Sequence, residues 1–119
     1  MKTKVLAIVF LVLAVILIIF LFSKNSQLPS GLILFYREDC PHCINVENYV
    51  KENGIEQKVK FEKKEVLENK DNARLLEKLA KKCGLPTDKV GVPFLWDGQS
   101  QKCLVGDVDI INFFSEKIK

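Results

Sequence analysis

Two cysteines stand with a proline and a histidine between them, Cys40-Pro41-His42-Cys43. Two intervening residues let the second sulfur close back on the first, so the pair can cycle between dithiol and disulfide. Where such a motif opens a helix, the unpaired N–H groups and the helix dipole favour the thiolate at Cys40. Pro41 suits the first helical turn because it has no N–H to leave unpaired there. His42, the only histidine, adds positive charge or a hydrogen bond beside the reactive sulfur, which stabilises the reduced form. A stabilised reduced form makes the disulfide a stronger oxidant.

The two remaining cysteines, Cys83 and Cys103, allow two readings. They are either small buried hydrophobes or, in an oxidising compartment, a structural disulfide. Neither has the helix-start setting that activates a thiol. All four sulfurs together could also be taken for a zinc site. The second pair lacks the close ligand spacing of zinc ribbons, and a proline inside the first pair is untypical. No metal and no cofactor is therefore assigned, and a metal-binding module built on the C-x-x-C remains the alternative from a different functional class.

The elements that must position these sulfurs can be read from apolar spacing. Residues 32–36 (LILFY) form a run suited to a strand buried on both faces. Arg37-Glu38-Asp39 leads to the motif, and Ile44, Val46, Tyr49 and Val50 then recur at helical spacing up to Asn53-Gly54. Residues 58–61 alternate apolar and charged and predict a second strand. Leu75, Leu76, Leu79 and Ala80 mark a helix over 71–83, stopped by Gly84 and Pro86. Residues 92–96 and 101–105 flank Asp97-Gly98, a hairpin signal. Asp107 is an acceptable N-cap for a last helix carrying Val108, Ile111, Phe113 and Phe114. The order predicts an α/β domain with a mixed four-stranded sheet and helices on both faces. Trp96 and the phenylalanines are expected in its core, with Phe94 bordering a substrate groove.

Ahead of this domain, residues 5–22 are all Ala, Val, Ile, Leu or Phe. As a helix they would span about 27 Å, close to the hydrocarbon thickness of a bilayer. The stretch is longer than the apolar core of a secretory signal, and no small-x-small cleavage site follows it. The expected organisation is an uncleaved membrane anchor over 1–23, a polar linker over 24–31 and one domain over 32–119. Lys2, Lys4 and the amino terminus precede the helix, whereas Lys24 alone follows closely. The positive-inside bias then puts the N-terminus in the cytoplasm and the domain on the extracytoplasmic side, as a single-pass protein of the cell membrane.

The chain has 119 residues, a net charge of +3 and 48% hydrophobic residues. That leaves room for one small domain and excludes a repeat array or a disordered chain. Without Lys2 and Lys4 the remainder is nearly neutral, with Lys and Glu interleaved as a solvated surface. No basic patch of the kind that neutralises phosphates is present, so nucleic acid is not an expected partner.

The strand, the C-x-x-C at a helix start and Gly91-Val92-Pro93 roughly fifty residues on resemble the thioredoxin superfamily over essentially the whole of 32–119. The short length is similar to glutaredoxins and small membrane-anchored thioredoxin-like proteins. The Cys-Pro-His-Cys tetrad resembles that of DsbA-type disulfide oxidases. The resemblance implies a thioredoxin-like fold and a thiol–disulfide oxidoreductase acting on protein thiols and disulfides. In it Cys40 attacks, Cys43 resolves, Pro41 and His42 tune the potential, and Val92-Pro93 is a cis-proline step that pairs with substrate backbone. Two positions depart from the pattern. Leu34 stands where the buried acid of thioredoxins would be, which leaves Glu38, Asp39 or solvent to take the Cys43 proton. Gly91-Val92-Pro93 and Gly106-Asp107 match the glutathione-binding segments of glutaredoxins only in part. Pro-His favours an oxidant or isomerase over a reductase. A glutaredoxin-like reductase, or an electron-transfer partner of a membrane oxidoreductase, is the further alternative.

Overall fold

The computed structural model describes residues 1–23, 27–88 and 90–119. The apolar stretch forms helix α1 (Lys2–Phe22), exposed along its length and long and apolar enough to cross a membrane. Of the expected linker, residues 24–26 lie outside the described residues, and with them the flanking charge of Lys24.

The run LILFY becomes strand β1 (Leu32–Tyr36), whose three middle residues are buried. A strand without polar side chains belongs in the middle of a sheet, and β1 is central. It pairs in parallel with β2 (Glu62–Glu65) on one side and antiparallel with β3 (Phe94–Asp97) on the other. The last strand, β4 (Lys102–Val105), runs antiparallel to β3 and completes the order β2-β1-β3-β4. The helices are α2 (Pro41–Glu52), α3 (Ile55–Lys58), α4 (Lys70–Lys82) and α5 (Asp107–Lys117). This is the mixed sheet, helices on both faces, of a thioredoxin-like fold.

Strand pleat divides the core in two. Ile33, Phe35, Phe94 and Trp96 face α4, where Leu76, Leu79 and Ala80 meet them. Leu34 and Leu95 face the other way, against Val46 and Val50 of α2, Ile55, and Ile110 and Phe114 of α5. Trp96, Phe35, Phe94 and Phe114 are fully buried, each worth about 1.5–3 kcal/mol in apolar burial.

Several boundaries differ from expectation. The second strand lies at Glu62–Glu65 rather than 58–61. Gly54, in the left-handed region at φ 58°, starts the short helix α3, and Val59 and Phe61 pack against the α2/α5 core instead. The third strand begins at Phe94 because Pro93 has no N–H for the ladder. The β3–β4 connection is longer than a two-residue hairpin. The Asp97 carboxylate accepts from the Gln99 N–H at 3.0 Å and the Ser100 hydroxyl at 2.8 Å, and Gln101 takes a φ of 52°. Gly106 is the N-cap of α5, and Asp107 is its first residue. Phe94 is fully buried in the core rather than exposed at a groove.

The chain before β1 is fastened to the sheet. The Trp96 indole Nε1–H donates to the Pro29 carbonyl at 2.8 Å, and the Gly98 N–H to that of Gly31 at 3.0 Å. Leu28 packs against the α4-side core. A Cβ on Gly98 would collide with the backbone of Pro29 and Ser30.

Candidate active site

Register places the candidate site residues at one end of the sheet. Phe35 pairs with Phe94 and Phe94 with Val105, so the exit of β1, the entry to β3 and the exit of β4 lie side by side. The first leads to Cys40, the second follows Pro93, and the third leads to α5. The Val92–Pro93 peptide is cis. Its neighbourhood is tied to α5 by the Gly106 N–H donating to the Pro93 carbonyl at 2.9 Å.

Cys40 is the N-cap of α2, with extended backbone angles, and Pro41 opens the helix. The Cys40 sulfur accepts the Cys43 N–H at 3.3 Å, one of the donors a helix start leaves unpaired. Its thiol in turn points at the Val92 carbonyl, 3.4 Å away. The sulfur is half-buried. Cys43, one turn further, is only 5% exposed. Burial, then the hydrogen bond with Cys40, pushes the Cys43 thiol up to about 12. Both cysteines are free thiols.

Beside Cys43 lies a cavity of about 270 Å³, lined among others by Leu34, Arg37, Glu38, Glu47, Lys63 and Pro93. It is large enough for water. Of the two carboxylates considered from sequence as proton acceptors, Glu38 lines this cavity. Asp39 is held in a two-pronged pair by Arg37, at 3.0 and 2.8 Å. That guanidinium keeps the Asp39 carboxyl below the usual range. Glu47 was not foreseen; it reaches the same cavity from α2 and pairs with Lys63 of β2 at 3.3 Å.

His42 is exposed, and its Nδ1 lies 3.1 Å from Oδ2 of Asp107 at the start of α5. Asn45 donates to the same oxygen at 2.7 Å. Asn45 carries no sequence signal for this role, because its partner is 62 residues away.

Cys83, the C-cap of α4, is bonded to Cys103 of β4, with a Cα–Cα separation of 6.2 Å. Bonded to each other and packed against the α4-side core, these two sulfurs are not free to join Cys40 and Cys43 in a four-sulfur site. Among the described residues, no group of three or more His, Cys, Asp or Glu side chains is placed to hold a metal ion.

No protein-family model matches the chain, and no curated protein matches it. Among solved structures, the chain is similar to the crystal structure of the glutaredoxin (grx-1) from Archaeoglobus fulgidus. The two share 21% identity at a TM-score of 0.47, over 77% of this chain and 90% of that one.

Proposed function

We propose that the chain is a membrane-anchored thiol–disulfide oxidoreductase acting on protein thiols and disulfides, with Cys40 attacking and Cys43 resolving. The observation that carries this reading is the unequal pair. An accessible sulfur at a helix start faces the Val92 carbonyl, and a buried thiol lies one turn behind it.

In the oxidising direction, a substrate thiolate attacks Cys40 Sγ of the Cys40–Cys43 disulfide. The S–S bond breaks, and Cys43 leaves with the electron pair and takes up a proton. The substrate's second thiolate then attacks its own sulfur in the mixed disulfide and expels Cys40. Two electrons have passed to the enzyme, which is left with a Cys43 thiol and a Cys40 thiolate. Of the two protons the substrate thiols gave up, one is on Cys43 and the other in solvent, and the substrate holds a new disulfide. In reverse, Cys43 must lose its proton before it can attack, which burial opposes. The water-accessible cavity with Glu38 and Glu47 on its wall is the route we assign to that proton. Val92, beside Pro93 at the rim, offers backbone for a substrate strand.

Helix α1 serves as the anchor through residues 5–22, with the N-terminus cytoplasmic and the domain extracytoplasmic. The flanking Lys2 and Lys4 support that orientation, as does a second, separate disulfide between Cys83 and Cys103. A membrane redox partner would return the pair to its starting state.

The test is the redox equilibrium of the full chain in detergent against glutathione, with Cys40 and Cys43 followed by alkylation and mass. A potential near about −120 to −180 mV, as in DsbA-type oxidases and isomerases, is expected. A value near about −270 mV assigns the domain to reduction instead. Failure to form a reversible Cys40–Cys43 disulfide overturns the reading.

A further inference from the structure

We propose that Asp107 is a positioning residue for His42, fixing the imidazole against the start of α5 and offsetting its charge, so that the Cys40–Cys43 pair is a milder oxidant than Pro-His alone would make it. The inference rests on the redox reading above and deepens it.

Three donors of the chain converge on this carboxylate. Oδ1 accepts the Val108 N–H at 3.1 Å. Oδ2 accepts Asn45 Nδ2 at 2.7 Å and faces His42 Nδ1 at 3.1 Å. The Asp107 side chain is 16% exposed, whereas that of His42 is 70% exposed. The carboxylate is therefore the fixed member, and the imidazole is the one whose place is chosen for it. The Asn45 hydrogen bond, then that of His42, holds the Asp107 carboxyl below its ordinary range, so it is ionised at neutral pH.

The electrostatic consequence does not depend on the proton of His42. With or without it, the His42–Asp107 pair is one charge more negative than the histidine alone. Only the reduced state of the Cys40–Cys43 pair can carry a thiolate, and a negative charge held 3.1 Å from the His42 ring inside the motif disfavours that state relative to the uncharged disulfide. Asp107 thus opposes the stabilisation of the reduced form that the tetrad by itself suggests, and moves the couple towards reduction.

The experiment uses the full chain in detergent, equilibrated with glutathione buffers at pH 7. Asp107→Asn keeps the shape and an accepting oxygen and removes the charge. The equilibrium constant for forming the Cys40–Cys43 disulfide is expected to fall about threefold to tenfold, which is ~14–30 mV towards oxidising. Asp107→Glu should stay nearer the wild type. His42→Ser leaves the carboxylate uncompensated and should raise the constant, which reads the pair from its other side should Asp107→Asn fold poorly. An unchanged constant in Asp107→Asn, whether or not the domain melts earlier, overturns the inference and leaves the redox reading intact. So does a change confined to the KM for glutathione, which would make Asp107 a ligand for that peptide. A wild-type pair that forms no reversible disulfide overturns both.

Discussion

Cys40 and Cys43 lie one helical turn apart, yet their surroundings are opposite. Cys40 is half-exposed between the Cys43 N–H and the Val92 carbonyl, and Cys43 is buried behind it. Cys40→Ser should therefore abolish thiol exchange, while Cys43→Ser should accumulate mixed disulfides, resolved on non-reducing gels. Wild-type activity in Cys40→Ser would sink the assignment. The buried thiol also makes the reduced protein pH-sensitive. The folded state keeps the Cys43 proton up to about pH 12, whereas the unfolded chain releases it near about 8.5. Between those values the unfolded state binds fewer protons, so folding stability is fully present below about pH 8.5 and declines as pH rises. The slope from this one group is at most about 1.4 kcal/mol per pH unit. Urea unfolding of the reduced protein at pH 7 and pH 10 should show the loss, and Cys43→Ala should lack it. Equal declines in both would place the titration elsewhere.

At the scale of elements, the joint between the chain before β1 and the β3–β4 turn depends on one missing side chain. A methyl group on Gly98 meets the backbone of Pro29 and Ser30. Gly98→Ala should displace that segment and weaken the Trp96–Pro29 hydrogen bond, costing about 1–3 kcal/mol. Denaturant unfolding and proteolysis within 27–31 would report it; unaltered values would mean that the segment is not part of the folded unit.

Elements with their own apolar periodicity or stop signals, such as β1, α2, α4 and α5, were legible from sequence to within a residue or so. The edge strand β2 was not. Its residues Glu62-Lys63-Lys64-Glu65 carry no apolar face, as suits an exposed edge that must resist pairing with other chains. The alternation of Val59 and Phe61 mimics a strand in the sequence, although both side chains pack against the α2/α5 core. Four residues of α3 are too few to show a period. The site divides similarly. A C-x-x-C is local and visible, whereas Asp107 reaching His42 and Glu47 reaching the cavity depend on how α2, α5 and β2 are packed. The Cys83–Cys103 pairing, too, needed a distance that no spacing supplies.

For the whole molecule, that disulfide closes a loop with a sequence separation of 20, for which loop entropy suggests about 3 kcal/mol. It fastens the end of α4 to β4, one of the two edge strands of the order β2-β1-β3-β4. Cys83→Ser with Cys103→Ser should lower the melting temperature by on the order of 10–20 °C, with the potential of Cys40–Cys43 little moved. A large change in potential would make the second pair a participant in exchange.

On the proposed function, the fastening of residues 28–31 to the sheet would also limit where thiol exchange takes place. Between Phe22, the last residue of α1, and Leu28, which already packs on the domain, six peptide steps reach at most about 21 Å. The fastened segment enters β1 at the end opposite the one that leads to Cys40. With α1 in a bilayer, the Cys40 sulfur would stay within a layer bounded by that reach and the domain's own length, free to diffuse sideways but not away from the lipid. Collision with a partner confined to that same layer becomes a two-dimensional search at high local concentration. A freely diffusing protein must first come to the membrane. Lengthening the chain at 24–27 would thicken the layer, and on the proposed function would change which partners are reached without alteration to any residue of the site.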